Sequence, residues 1–355
     1  MLYSREGSVD GGAELQATLL ARTLAARGLD VAHIVYPIID PAPLTPPCPT
    51  PVERRPASGG KPLHALRELF DVRSALSEAN ARAVIVRGSG GYVVPAALWC
   101  ASHNRTFVFS ASNDLDFDLK RPDRRQTTLR AYGTAARRAR RLVVQTNQQA
   151  ELARRAFPTQ TPILIPSFAE PARPPRAKPA YFLWSDRLAP YKRPDKYLEL
   201  AAALPETRFR MVVSETLETS AELRDRVHAR AEALPNLDLV SRRPRAEALA
   251  ELERAIAIVK TSEIEGMPNT FLEAWARGIP VLSLSVDPDR RIAERGAGLL
   301  AEGSTRRLIE SARRLRDNPE LRAALGNRGR EFVREHHSPD MVAERWTELL
   351  AGLRG

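Results

Sequence analysis

The chain has 355 residues, 43% of them hydrophobic and 27% charged. That composition excludes a disordered protein, and the length is comfortable for two domains. No stretch approaches the ~20 apolar residues of a membrane-spanning helix, and Cys48 and Cys100 alone cannot build a disulfide framework or a metal cage. The formal charge of +11 favours anionic partners such as a nucleotide, a phospholipid surface, nucleic acid or an anionic polymer.

In chain order, MLYSREGSVDGG has no apolar run of the signal-peptide kind, so a reducing cytoplasmic location is expected. Only MLYS precedes the glycines, so the first strand is expected to be very short or to begin upstream. Gly7, Gly11 and Gly12 stand before the helical pattern ELQATLLARTLAAR, which Gly28 closes. Backbone N–H groups there can approach an anion at a helix N-terminus. The spacing is not G-x-G-x-x-G, and a simple turn explains it equally well.

The apolar runs VAHIVY, AVIVR, TFVFS, LVVQT and ILI then read as strands. The Pro-rich segment 41–62 reads as an exposed loop and 166–180 as a domain linker. Residues 120–141 concentrate arginine; a solvated helix face and a specific surface role are equal readings. YFLWS, FRMVV, LDLV, AIAIV and PVLSL repeat the strand rhythm in the second half, and MVAERWTELLAGL ends the chain as an amphipathic helix. Strands alternating with helices predict parallel sheets with crossover helices, arranged as two Rossmann-like doubly wound domains with a cleft between them.

Two stretches carry candidate chemistry. In YFLWSDRLAPYKRPDKYLEL, Arg187 and Lys192 fall five residues apart just past a strand. Two fixed cations there can pair with a diphosphate and stabilise the charge that develops as it leaves. The plain alternative is that a chain with 54 basic residues places some in any loop. In TSEIEGMPNTFLEAWARGIPVLSL, Glu265 lies in a loop at a strand's carboxyl end and Glu273 one turn into the next helix. Gly266, Met267, Pro268, Asn269 and Thr270 form the turn, whose N–H groups (Pro268 has none) can hold phosphate or sugar oxygens. Carboxylates suit vicinal diols, so Glu273 can take a ribose and Glu265 a second sugar.

The E-x7-E pair, with DRLAPYK upstream and GGAELQATLLARTLAARG near the start, resembles the retaining glycosyltransferases of family four, in the family's order and over essentially the whole chain. The resemblance implies the α/β GT-B fold: an acceptor-side domain over 1–165, a nucleotide-sugar domain over 166–337, and a last helix, 338–355, crossing back onto the first. It implies that Glu273 binds the ribose of a nucleotide-diphosphate sugar, Glu265 the transferred sugar, and Arg187 and Lys192 the diphosphate. Gly11 and Gly12 would approach the donor, and VSRRPRAEAL, with Arg243 or its backbone, would flank the base. Many relatives carry a histidine where TFVFSASNDLDFD has Ser110, so the acceptor-side candidates are Ser110, Ser112, Asn113 and Asp114.

Asp114, Asp116 and Asp118 also resemble the D-x-D of metal-dependent transferases. Because Arg187 and Lys192 already supply positive charge, no metal and no cofactor is expected. The expected partners are a nucleotide-sugar donor, a sugar, polysaccharide or lipid-linked acceptor, and an anionic membrane surface touched peripherally through 120–141. Nucleic acid is not expected, since Tyr132 is the only aromatic of that basic stretch. The expected pathway is bacterial-type cell-surface polysaccharide or glycolipid synthesis. The alternatives are a GT-B-like sugar-nucleotide epimerase and a non-catalytic basic protein that binds nucleic acid or anionic lipid.

Overall fold

The computed structural model describes residues 2–4, 11–36, 50–53, 61–121, 124–215 and 219–353. Gly7, Cys48 and most of the Pro-rich 41–62 segment lie outside them. The chain divides into two compact units, Met1–Phe168 with Pro339–Gly355, and Ala169–Ser338.

In the first unit, β1 (Leu2–Ser4), β2 (Ala32–Tyr36) and β3 (Thr50–Glu53) form a parallel sheet in that order. A second parallel sheet runs β4 (Ala83–Arg87), β5 (Thr106–Ser110), β6 (Arg141–Val144), β7 (Pro162–Leu164). The crossovers are α1 (Gly12–Ala26), α2 (Lys61–Ala79), α3 (Val93–Ser102), α4 (Gln126–Arg137) and α5 (Asn147–Ala156). Strand β3 corrects the expectation that all of 41–62 is loop. Pro51 lies in it, and an edge strand is where a sheet tolerates a residue without an N–H.

The second unit holds β8 (Tyr181–Arg187), β9 (Phe209–Ser214), β10 (Leu237–Ser241), β11 (Ala255–Lys260), β12 (Val281–Ser283) and β13 (Gly298–Leu300). Their order is β10-β9-β8-β11-β12-β13, all parallel. The chain starts in the middle, winds outward, then returns to the centre to wind the other way. The reversal falls between β8 and β11, and ligands of open α/β sheets bind outside the carboxyl ends at such a point.

The helices are α6 (Pro194–Ala202), α7 (Ala221–Glu232), α8 (Arg245–Glu253), α9 (Asn269–Ala276), α10 (Arg291–Arg295), α11 (Thr305–Asp317) and α12 (Pro319–His336). Alternation along β8 sends Phe182 and Trp184 to one face, against Tyr197 of α6, Val227 of α7 and Leu308 of α11. Tyr181 and Leu183 go to the other, against Phe271 and Trp275 of α9 and Phe332 of α12. Helices cover both faces, so every residue of β11 is buried.

Helix α9 has eight residues, too few to be stable alone in water. Full burial of Phe271 and Leu272, each about 2 kcal/mol, holds it on the sheet. Trp275 is buried with its indole N–H on Ala297 C=O at 2.6 Å. On α12, a Cβ at Gly326 would collide with the backbone of Gly278 and one at Gly329 with the Trp275 ring. Those two glycines set the approach of α12 to α9 and so fix the helix that carries Glu273. The chain's final helix, α13 (Pro339–Ala351), belongs to the first unit, where Val342 and Trp346 share a core with Leu20 and Leu24 of α1.

Candidate active site

At the reversal between β8 and β11, four charged side chains close a ring. Lys192 Nζ lies 2.5 Å from Glu265 Oε1 and 2.9 Å from Asp186 Oδ1. Lys260 Nζ lies 2.6 Å from Asp186 Oδ2 and 3.5 Å from the same Glu265 oxygen. Lys192 and Lys260 are 5% and 4% exposed, so the ring is almost dry. Burial alone would raise the Asp186 carboxyl, but the Lys192 and Lys260 ammoniums overcome it and hold the group well below the usual carboxylate range. Burial likewise opposes the Lys192 charge, and Asp186 and Glu265 overcome it, so its pKa lies above the ordinary lysine value.

Local chain geometry delivers these groups. After β8, Leu188 is buried as an anchor, Pro190–Lys192 make one 3₁₀ turn, and Arg193 is left-handed at φ 49° before Pro194 opens α6. The Thr261 hydroxyl donates to Lys192 C=O at 2.7 Å and accepts the Trp184 indole N–H at 2.9 Å. Glu263 N–H bonds Tyr191 C=O at 2.9 Å. The two loops are thus tied to each other.

Arg187 ends β8 with an exposed side chain, and its Nη2 donates to the Tyr191 hydroxyl at 3.1 Å. The Tyr191 ring in turn lies 5.2 Å from Lys192 Nζ. Met267 is 6% exposed and packs into the core, and Gly266 and Pro268 are buried in the turn. Asn269 opens α9, and Thr270 Oγ1 is buried without a hydrogen-bond partner.

Glu273 belongs to a second cluster. Arg245 Nη1 donates to Glu273 Oε1 at 2.6 Å, and its Nη2 bonds Glu170. Burial would lower the Arg245 pKa, but Glu273 and Glu170 raise it further above its ordinary value. Arg243, the residue singled out from the sequence, is exposed and pairs with Glu247 at 3.5 Å. Arg242, Arg243 and Arg245 cannot be ranked by sequence; the start of α8 at Arg245 makes the difference.

In the first unit, Gly11 is the N-cap residue of α1 and Gly12 its first residue. Ser110, 1% exposed, accepts from Arg87 Nη1 at 3.1 Å. Burial pushes the Arg87 pKa down to about 10. Ser112 and Asn113 both donate N–H groups to Asp116 Oδ2, at 2.7 and 3.1 Å. The Ser112 hydroxyl and Ser89 N–H add further bonds to the same carboxylate. Asp114 Oδ2 accepts from Gln148 at 2.8 Å. Asp116 therefore closes the turn after β5. Among the described residues, no three His, Cys, Asp or Glu side chains are grouped to hold a metal. In the basic stretch, Leu129 and Tyr132 of α4 are buried while Arg125, Arg130, Arg137 and Arg138 face outward. No helix among the described residues is long and apolar enough to cross a membrane.

The family model "Glycosyl transferases group 1" matches residues 168–332, and a "Glycosyl transferase 4-like domain" model matches 11–166. A GDP-mannose-dependent monoacylated alpha-(1-6)-phosphatidylinositol monomannoside mannosyltransferase of Corynebacterium glutamicum is 35% identical over 89 residues, 25% of this chain and 23% of that one. A glycosyltransferase 1 domain-containing protein of Xenopus tropicalis is 23% identical over 128 residues, 36% of this chain and 37% of that one. The chain thus matches well under two thirds of either relative's length. Among solved structures, sucrose-phosphate synthase of Thermosynechococcus elongatus superposes with a TM-score of 0.83 at 17% identity, covering 99% of this chain and 98% of that one. Anabaena HepE, in complex with UDP and glucose, gives 0.78 at 16% identity with the same coverage. The fold is GT-B, and with family matches over both halves the chain belongs to the group 1 glycosyltransferases.

Proposed function

We propose that the enzyme is a retaining, metal-independent glycosyltransferase that moves a sugar from a nucleotide-diphosphate sugar to an acceptor hydroxyl. The observation that carries this reading is Lys192 on Glu265 at the sheet's point of reversal. A protein ammonium in an almost dry site can meet a departing diphosphate at full charge, and Glu265 beside it can hold hydroxyls of the transferred sugar. As the glycosidic bond breaks, oxocarbenium character builds at the anomeric carbon and negative charge on the leaving phosphate. Lys192, with Arg187 from the end of β8, offsets that charge. Arg245 orients Glu273, whose two oxygens suit the two ribose hydroxyls. Glu265 is held by two lysines rather than free as a nucleophile. The acceptor therefore attacks from the face the leaving group departs, and a phosphate oxygen takes its proton.

The named relatives support a nucleotide-sugar donor, since one is GDP-mannose-dependent and one structure holds UDP and glucose. The outward arginines of α4 support peripheral contact with an anionic membrane from the cytoplasmic side, and with it a glycolipid or surface-polysaccharide acceptor. Two measurements test the reading. Thermal shift with UDP-, GDP- and ADP-sugars is expected to show stabilisation by one of them. NMR of the product is expected to show the donor's anomeric configuration, in EDTA as well as without it. Inverted product, or activity that disappears in EDTA and returns with manganese, would overturn it.

A further inference from the structure

Lys260 lies outside both charged motifs, yet it closes the ring. It is the last residue of β11, its ammonium is buried, and it sits 2.6 Å from Asp186 and 3.5 Å from Glu265. The ring holds two ammoniums and two carboxylates, so its charge balances without a ligand. A diphosphate upsets that balance. When Lys192 turns toward the phosphates, Glu265 loses its nearest cation and is left almost buried beside a dianion. A carboxylate so placed would take up a proton.

We infer that Lys260 is a positioning residue that takes over Glu265 as Lys192 engages the donor. Less than 1 Å of approach brings its 3.5 Å contact to the 2.6 Å it already makes with Asp186. Asp186 anchors both ammoniums and keeps them apart: Oδ1 faces Lys192 and Oδ2 faces Lys260. Glu265 then stays ionised and aimed at the sugar while the charge of Lys192 is used elsewhere. This inference rests on the donor reading above.

The test is calorimetry with UDP-glucose and GDP-mannose, whose doubly esterified diphosphates do not titrate near neutrality, in two buffers of different ionisation heat. Wild type is expected to bind one of them at pH 6 with almost no proton uptake. Lys260→Met is expected to bind about tenfold or more weakly, the linked cost of protonating a carboxylate at pH 6, and to take up about half a proton or more. Lys260→Arg is expected to behave as wild type, and Lys260→Met with Glu265→Gln to take up none. Should Lys260→Met melt, Asp186→Asn with Lys260→Met removes a cation and an anion together and is read the same way. Binding by Lys260→Met without proton uptake, or uptake that persists in the Glu265→Gln background, would overturn the role of Lys260. Failure of wild type to bind any UDP-, GDP- or ADP-sugar would instead overturn the donor reading.

Discussion

Two loops of the molecule pose the same problem and solve it differently. Each follows a buried parallel strand at its carboxyl end, and each holds a carboxylate nearly out of water. After β5, Asp116 is satisfied by three backbone N–H groups and a hydroxyl from its own and a neighbouring loop. After β11, Glu265 is satisfied by two lysine side chains. A backbone N–H cannot leave without undoing the turn, whereas an ammonium on four methylenes can swing to a ligand. Asp116 therefore fixes structure, and Glu265 stands in a charge cluster that can exchange partners. The D-x-D pattern and the E-x7-E pattern look alike in sequence as acidic spacings; the nature of their donors separates them.

That contrast can be broken or sharpened by substitution. The largest effect is expected from Lys192→Ala, which removes the cation facing the diphosphate and should lower turnover by about 10²–10³-fold with the fold intact. Turnover and circular dichroism on one sample check it, and near-normal turnover breaks the contrast. Asp116→Asn comes next. Turning one acceptor oxygen into a donor that faces N–H groups is expected to cost about 2–3 kcal/mol, or roughly 5–10 °C in melting temperature. Sugar-nucleotide affinity should not change, because none of its partners lies in the second unit. A melt and a binding isotherm decide it. Glu273→Ala should weaken donor binding about tenfold, or about 1.4 kcal/mol, with little change in turnover at saturating donor. Undiminished affinity would contradict the ribose assignment.

The smallest effect concerns pH. The Asp186 pKa is depressed, so its contribution is complete above the unfolded carboxylate value, about 4, and is lost only as pH falls through the lower folded value. The Lys192 pKa is raised, so its contribution is complete below about 10.4 and is lost only at higher pH. The melting-temperature difference between wild type and Asp186→Asn should accordingly stay constant from about pH 5 to 9 and shrink below about pH 4.

Much of this could be read from sequence where one strand or one turn carries the signal. AIAIVK and FRMVV are apolar because both faces of their sheet are covered, and they emerge as β11 and β9. Strand β3 was hidden by its proline, and β13 by its sequence GLL, which opens on a glycine and has none of the β-branched or aromatic residues that mark the other strands. Lys192 and Glu265 were legible as types in loops. Their contact with each other was not, because it joins crossovers 73 residues apart. Asp186 and Lys260 carried no signal, since an acid next to the end of one strand gains meaning only beside a lysine ending its neighbour. Arg245 was missed for a similar reason: only the geometry at the start of α8 separates it from Arg243.

The most direct test of the account is a crystal structure with the nucleoside diphosphate that the binding panel selects. Lys192 Nζ is expected within hydrogen-bond distance of a phosphate oxygen, having left Glu265. A diphosphate seated elsewhere, with the 2.5 Å contact between Lys192 and Glu265 still closed, would contradict it.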